Sequence, residues 1–111
     1  MIMGATKTTD YTLQEMSIAK YAKAFSHPAR VAILNLLLKK QACVCGDIVD
    51  ELPLSQSTVS QHLKELKEIG LIKGDIEGAS VCYCIDEKVW NNAKKQLNQL
   101  FDNVNLNSKC C

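Results

Sequence analysis

The side chains most able to do chemistry in this 111-residue chain are its six cysteines, which stand in three pairs: Cys43 with Cys45, Cys82 with Cys84, and Cys110 with Cys111. A thiolate ligates soft ions and is attacked by oxidants. No apolar run approaches the eighteen or so residues of a membrane span, and residues 1–12 lack the basic start and apolar stretch of a secretory signal. The chain is therefore expected to be cytoplasmic, without a membrane partner, and its thiols reduced rather than tied in structural disulfides. There is no C-x-x-C motif and no constellation of acid, base and nucleophile, so neither an enzyme nor a catalytic cofactor is expected.

Each pair has its own setting. Cys43-Val44-Cys45 stands before a short helix predicted over 46–52, with Cys43 at the cap and Cys45 in the first turn. Unpaired amides and the helix dipole would favour thiolate there, and at an irregular N-terminus two sulfurs can converge. The alternative is a pair of small buried thiols. Cys82 and Cys84 are two apart on a predicted strand and share one face. With Val81, Tyr83 and Ile85 packed inward, they would point outward, as a subordinate thiophilic site or as surface thiols. Cys110 and Cys111 close a polar tail, either as extra donors reaching back or as an uninvolved terminus.

The element these sulfurs would act on is the helix predicted between Ser55, a good N-cap, and Gly70, a good stop. Val59, Leu63 and Leu66 fall on one face, and Gln56, Ser57, Ser60, Gln61 and Lys64 on the other. Hydroxyls, amides and one lysine at an exposed helix end suit base edges and phosphates in a major groove, although an ordinary solvated face reads similarly. Context favours the groove. Residues 46–52, a break at Pro53-Leu54 and the helix after Ser55 make a helix-turn-helix. The stretches 71–76 and 81–85, joined by Glu77-Gly78-Ala79-Ser80, make a β-hairpin of the kind that forms a wing. On this reading Gln56, Ser57, Ser60 and Gln61 face bases, while Ser55, Thr58, His62, Lys64, Lys73 and Gly78 face phosphates. His62 could also be purely structural. His27 reads as a helix-boundary histidine, with no second histidine at ligand spacing.

Three further helices are expected. The first runs over about 13–25 behind Asp10 or Thr12, with Met16, Ala19, Ala22 or Lys23 and Phe25 as an imperfect stripe. The second begins at Pro28 and carries Val31, Ile33, Leu34, Leu37 and Leu38. The last runs from Asp86 to about 104, with Val89, Trp90, Ala93, Leu97, Leu100, Phe101 and Val104 on a stripe too apolar for a free surface. The organisation is thus a frayed start at 1–9, one domain over 10–104 and a tail at 105–111. A net charge of +1 says nothing for nucleic acid. Local cations, Arg30, Lys64, Lys67 and Lys73, would have to serve, doubled by a second subunit.

Three segments together carry a resemblance: S-Q-S-T-V-S-Q-H-L-K-x-L-K-x-x-G-L-I from Ser55 to Ile72, Ser26-His27-Pro28-Ala29-Arg30-Val31-Ala32-Ile33-Leu34, and residues 78–86. The chain resembles the arsenic-sensing ArsR/SmtB repressors over roughly 11–101. The resemblance implies a mainly α winged helix-turn-helix with a small β-hairpin, dimerising through its N- and C-terminal helices. It also implies a homodimer that represses from double-stranded operator DNA and leaves when an ion binds. The C-V-C at Cys43 and Cys45 matches the ligand pair of sensors for arsenite, antimonite, cadmium or lead. Ile48 stands where a third thiolate would complete arsenite coordination. Either two sulfurs suffice, as for a methylated or aromatic arsenical, or a third comes from elsewhere. The inducers expected are As(III), such organic arsenicals or Sb(III), with a cadmium or lead sensor and a thiol redox switch of the same fold as alternatives. The last helix lacks histidine, which argues against a zinc site there.

Overall fold

A computed structural model describes residues 10–40, 43–45, 52–77 and 80–104, of which 45, 75–77, 80 and 81 by backbone alone. The elements are α1 (Leu13–Ala24), α2 (Pro28–Lys40), β1 (Val44–Cys45), α3 (Gln56–Ile69), β2 (Ile72–Glu77), β3 (Ser80–Ile85) and α4 (Glu87–Asp102). The helix predicted over 46–52 falls, but for Leu52, outside the described residues, as do Gly78, Cys110 and Cys111.

Local chemistry sets the helix ends. Thr12 caps α1 in a capping box, accepting from the Glu15 amide at 3.0 Å while the Glu15 carboxylate accepts from the Thr12 amide at 2.9 Å. Pro28 opens α2 as expected. Asp86 caps α4 by accepting from the Val89 amide at 3.2 Å. Gly70 ends α3 with φ +101°, a left-handed conformation that glycine adopts without a Cβ penalty, and its N–H donates to the Leu66 carbonyl.

The core gathers Ile33, Leu34 and Leu37 of α2, Val59, Leu63, Leu66 and Ile69 of α3, Tyr21 and Ala24 of α1, Leu71, Ile72 and Ala93. The α1 stripe is therefore not the expected one. Met16, Ala22 and Phe25 are exposed, while Tyr21 and Ala24 turn inward. Tyr21 can be buried because its hydroxyl accepts from Asn92 Nδ2 of α4 at 2.9 Å. Val31 and Leu38 of α2 likewise stay at the surface.

The β-hairpin has a third strand beside it. The sheet order is β1-β3-β2, antiparallel throughout, with Ile72 across from Ile85 and Lys73 across from Cys84. Cys45 is thus in a strand and not in the first turn of a helix: Val44 and Cys45 pair with Tyr83 and Cys82. A β-branched residue between two small side chains fits an extended edge, β3 supplies the ladder bonds, and Val44 packs partly buried against the core. The hairpin turns the expected side to the core, where Tyr83 and Ile85 pack beside Ile72 and Val44, but the two cysteines on its other side are not the surface thiols expected. Cys82 and Cys84 are buried, at 5% and 9% exposure, and Tyr83 and Ile85 are only partly so.

Candidate nucleic-acid interface and thiol strands

The helix α3 presents two faces of opposite character. Its inner side is anchored by Val59, Leu63, Leu66 and Ile69, all buried. Gln56, Ser57, Ser60, Gln61 and Lys64 are exposed, and Thr58 and His62 half-buried on the flanks. At the N-terminus Ser55 Oγ accepts from the Thr58 amide at 3.3 Å, donates to Thr58 Oγ1 at 2.9 Å and lies 3.3 Å from Ser57 Oγ. Three hydroxyls therefore meet at the positive end of the helix dipole, where phosphate oxygens are favoured.

A charged network, not legible in any local pattern, holds the flank of α3. Arg30 of α2 is buried at 8% exposure. Its Nη1 donates to the Lys23 carbonyl at 2.7 Å, its Nε donates to His62 Nδ1 at 3.2 Å, and its Nη2 pairs with Glu65 Oε2. Arg30 is thus not a surface cation for phosphates but a strut between α1, α2 and α3. His27, read as a helix-boundary histidine, stands just before Pro28 of α2 and accepts from the Ala29 amide at Nδ1, and its ring centroid lies 4.7 Å from that of His62. His62 Nδ1 accepts the hydrogen bond from Arg30 Nε and so carries no proton in this arrangement. Burial, first, and the neighbouring His27 and Arg30 charges hold its pKa below the ordinary 6.5. A neutral, tethered His62 is a poorer phosphate cation than expected and a better positioning residue.

Cys43 and Cys84 line a cleft that includes no residue of α3. Cys43 is exposed and Cys84 buried, and the cleft, of about 850 Å³, is also lined by Leu37, Trp90, Asp86 and Lys73. Lys73, expected at a phosphate, is directly across the ladder from Cys84 at the base of the hairpin. Cys82 is disulfide-bonded, contrary to the expectation of reduced thiols throughout. Among the described residues no three His, Cys, Asp or Glu side chains form a ready metal cage. No helix among them is long and apolar enough to cross a membrane.

At the far side α4 packs on α1 through the Phe25–Trp90 edge contact, with centroids 6.1 Å apart. The outer ends of both helices stay uncovered: Leu13, Tyr11, Leu100, Phe101 and Val104 are all exposed, Leu13 by 84%. The last helix is as apolar as expected, but in one chain only its first half is covered.

Comparison with known proteins agrees with this geometry. Residues 27–73 match the family described as bacterial regulatory protein, arsR family. An uncharacterized HTH-type transcriptional regulator of Methanocaldococcus jannaschii is 42% identical over 64% of this chain and 81% of its own length. The cadmium resistance regulatory protein CadC homolog of Staphylococcus aureus is 39% identical over 66% of this chain, which spans only 60% of that longer relative. Among solved structures, the cadmium metal-sensor CMTR of Mycobacterium tuberculosis superposes with a TM-score of 0.55 at 31% identity, covering 85% of this chain and 96% of its own. A homodimeric winged helix-turn-helix DNA-binding domain of Mycobacterium bovis does so with a TM-score of 0.63 at 25% identity, covering 90% of each. With its capped helix α3, its hairpin and these relatives, the chain belongs to the ArsR/SmtB family of winged-helix transcriptional regulators.

Proposed function

We propose that this regulator is a repressor that binds operator DNA as a homodimer and leaves it when a thiophilic ion is held by cysteine thiolates, Cys43 and Cys45 foremost. The observation that carries the reading is the exposed polar face of α3, Gln56, Ser57, Ser60, Gln61 and Lys64, on a helix anchored from behind by buried side chains. Gln56 and Gln61 have the amide geometry that reads adenine edges, and Ser55, Thr58 and Lys64 suit phosphates. The uncovered apolar ends of α1 and α4 suit a second copy of the chain, which sets two α3 helices at half-site spacing.

The inducer class is soft and thiophilic: trivalent arsenic, inorganic or carrying a methyl or aryl group, or antimony, with cadmium and lead as the alternative suggested by relatives whose names carry cadmium. Binding shifts a population between a groove-fitting and a non-fitting arrangement, so the ion has to prefer the latter by roughly 1–3 kcal/mol. Fluorescence anisotropy on a duplex from the chain's own promoter tests this. Affinity falls with salt, trivalent arsenicals or cadmium release the duplex, and Cys43→Ser/Cys45→Ser holds it throughout. A monomer indifferent to duplex, or release by no thiophile, overturns the proposal.

A second reading, a redox switch, is favoured by the disulfide at Cys82. Two thiols and one peroxide would give one disulfide and two waters. Release by peroxide alone, with no response of the reduced protein to thiophiles, decides for it.

A further inference from the structure

The two C-x-C motifs are separated by 36 residues between Cys45 and Cys82, yet the fold sets them side by side. Cys45 is directly across the ladder from Cys82. Continuing the antiparallel register by one residue sets Cys43 across from Cys84, and these two line the same cleft. In an antiparallel ladder residues directly across from each other have Cβ atoms about 5 Å apart on one face, and residues two apart on a strand share that face. A tetrahedral ion with metal–sulfur bonds of about 2.3 Å holds its sulfurs about 3.8 Å apart, within reach of such Cβ atoms.

We infer that Cys43 and Cys45 of the first strand region and Cys82 and Cys84 of β3 form one four-sulfur site for a soft divalent cation such as cadmium. Cys82 and Cys84 then belong to the same site as Cys43 and Cys45, not to a second one. Cys43, Cys82 and Cys84 enter by their positions and burial, and Cys45 by its place in the ladder. The inference rests on the reading of Cys43 and Cys45 as ligands and extends it.

Three features suit a cation of this class. Four sulfurs exceed what trivalent arsenic takes and match the tetrahedral preference of soft divalent ions. The buried side of the site excludes water, whereas Cys43 at the surface offers a way in. Lys73, across from Cys84, sets a positive charge beside a complex that carries net negative charge, with Lys88 also on the cleft rim and Asp86 and Glu87 opposing them. Asp86 is committed to capping α4. Loading requires the Cys82 disulfide to be reduced first. A thiol or phosphine reductant supplies two electrons, two protons complete the two thiols, and cadmium then displaces one proton from each of four thiols to solvent.

The full-length protein, reduced with a phosphine and handled without oxygen, is titrated with cadmium chloride while the sulfur-to-metal ultraviolet charge-transfer band is followed. One cadmium per chain saturates the band, and alkylation mapped by mass spectrometry shows that this one equivalent protects Cys43, Cys45, Cys82 and Cys84 together. Cys84→Ser weakens binding at least tenfold and lowers the band, whereas Cys110→Ser/Cys111→Ser changes neither. The protection map needs no substitution, so it stands even if Cys84→Ser does not fold. Protection of Cys43 and Cys45 alone, or two cadmium ions per chain on separate pairs, overturns the inference. The two proposals fail separately. If Cys82→Ser/Cys84→Ser still releases operator at wild-type cadmium concentration, the repressor reading stands without the four-sulfur site. If one cadmium protects all four thiols but operator stays bound, the site stands and that reading falls.

Discussion

The helix α3, proposed to enter the groove, and the cysteine-bearing strand β1 are built to opposite standards. Four buried side chains and the Arg30 network fix α3 from behind, and Ser55 and Gly70 fix its ends. β1 is two residues long and is held by its pairing with β3 and by the partly buried Val44. Edge strands this short open easily, whereas core helices open only with the whole fold. On the proposed reading this is a division of labour: the element that would fit a groove is over-determined, and the one carrying sulfurs would be free to re-form around a ligand.

The sharpest test of that contrast is a pair of truncations. Leu66→Ala, at a fully buried position of α3, is expected to cost about 3–4 kcal/mol in urea unfolding, from lost transfer energy and a cavity the packed helices cannot close. Val44→Ala on β1 is expected to cost about 1 kcal/mol, since two methyls leave a site already partly open. Equal losses would show that β1 is as firmly built into the core as α3, and the division of labour would fail.

Arg30→Met comes next. Methionine keeps much of the apolar stem but leaves the Lys23 carbonyl, His62 Nδ1 and the Glu65 carboxylate without their donor. A loss of about 2 kcal/mol is expected, moderated because Glu65 is 30% exposed and can recruit water. Operator affinity should fall further than stability alone accounts for, because the flank of α3 loses its strut. Unchanged affinity in a folded Arg30→Met protein would mean that the buried apolar face positions α3 by itself.

These struts also mark where the sequence stops being readable. Ser55, Gly70, Pro28, the spacing of Val59, Leu63 and Leu66, and the polar set on the other face are local signals, and the structure uses each as expected. The bounds of the hairpin and of α4 shift by only a residue or two. What escaped is long-range. A two-residue strand has no periodicity, and Val44-Cys45 becomes extended only because β3 arrives from far along the chain. In β3 the set that packs on the core, Tyr83 and Ile85, was legible from the alternation, but the burial of Cys82 and Cys84 on the opposite side was not, because it depends on what the rest of the chain lays over them. Arg30 read as a surface cation because its three partners lie 7, 32 and 35 residues away, counted from Lys23, His62 and Glu65.

Ser55→Ala probes the end of α3 that would meet phosphate. The substitution removes the acceptor for the Thr58 amide and is expected to cost about 1 kcal/mol. Circular dichroism melts measure that loss. Operator binding should weaken at every duplex sequence alike, since a lost phosphate contact carries no base information. A change in sequence preference would move Ser55 from backbone to base contact.

The smallest effect expected is a pH dependence carried by His62. Its pKa in the folded chain lies below 6.5, because burial and the His27 and Arg30 charges disfavour the imidazolium. As pH falls below 6.5 the unfolded chain takes up the proton first and is stabilised relative to the folded one. The contribution is therefore fully present above pH 6.5 and is lost as pH falls through the folded value. Solvent reaches the half-buried ring, which keeps the loss modest. Urea midpoints of the wild type should decline between pH 7.5 and 5.5, and His62→Gln should flatten that decline while leaving the midpoint at pH 7.5 nearly unchanged. Protonation also ends the Arg30 Nε–His62 Nδ1 bond, so operator affinity should decline over the same interval in the wild type and not in His62→Gln. An equally steep decline in the variant would assign the titration to other groups and leave His62 as packing for α3.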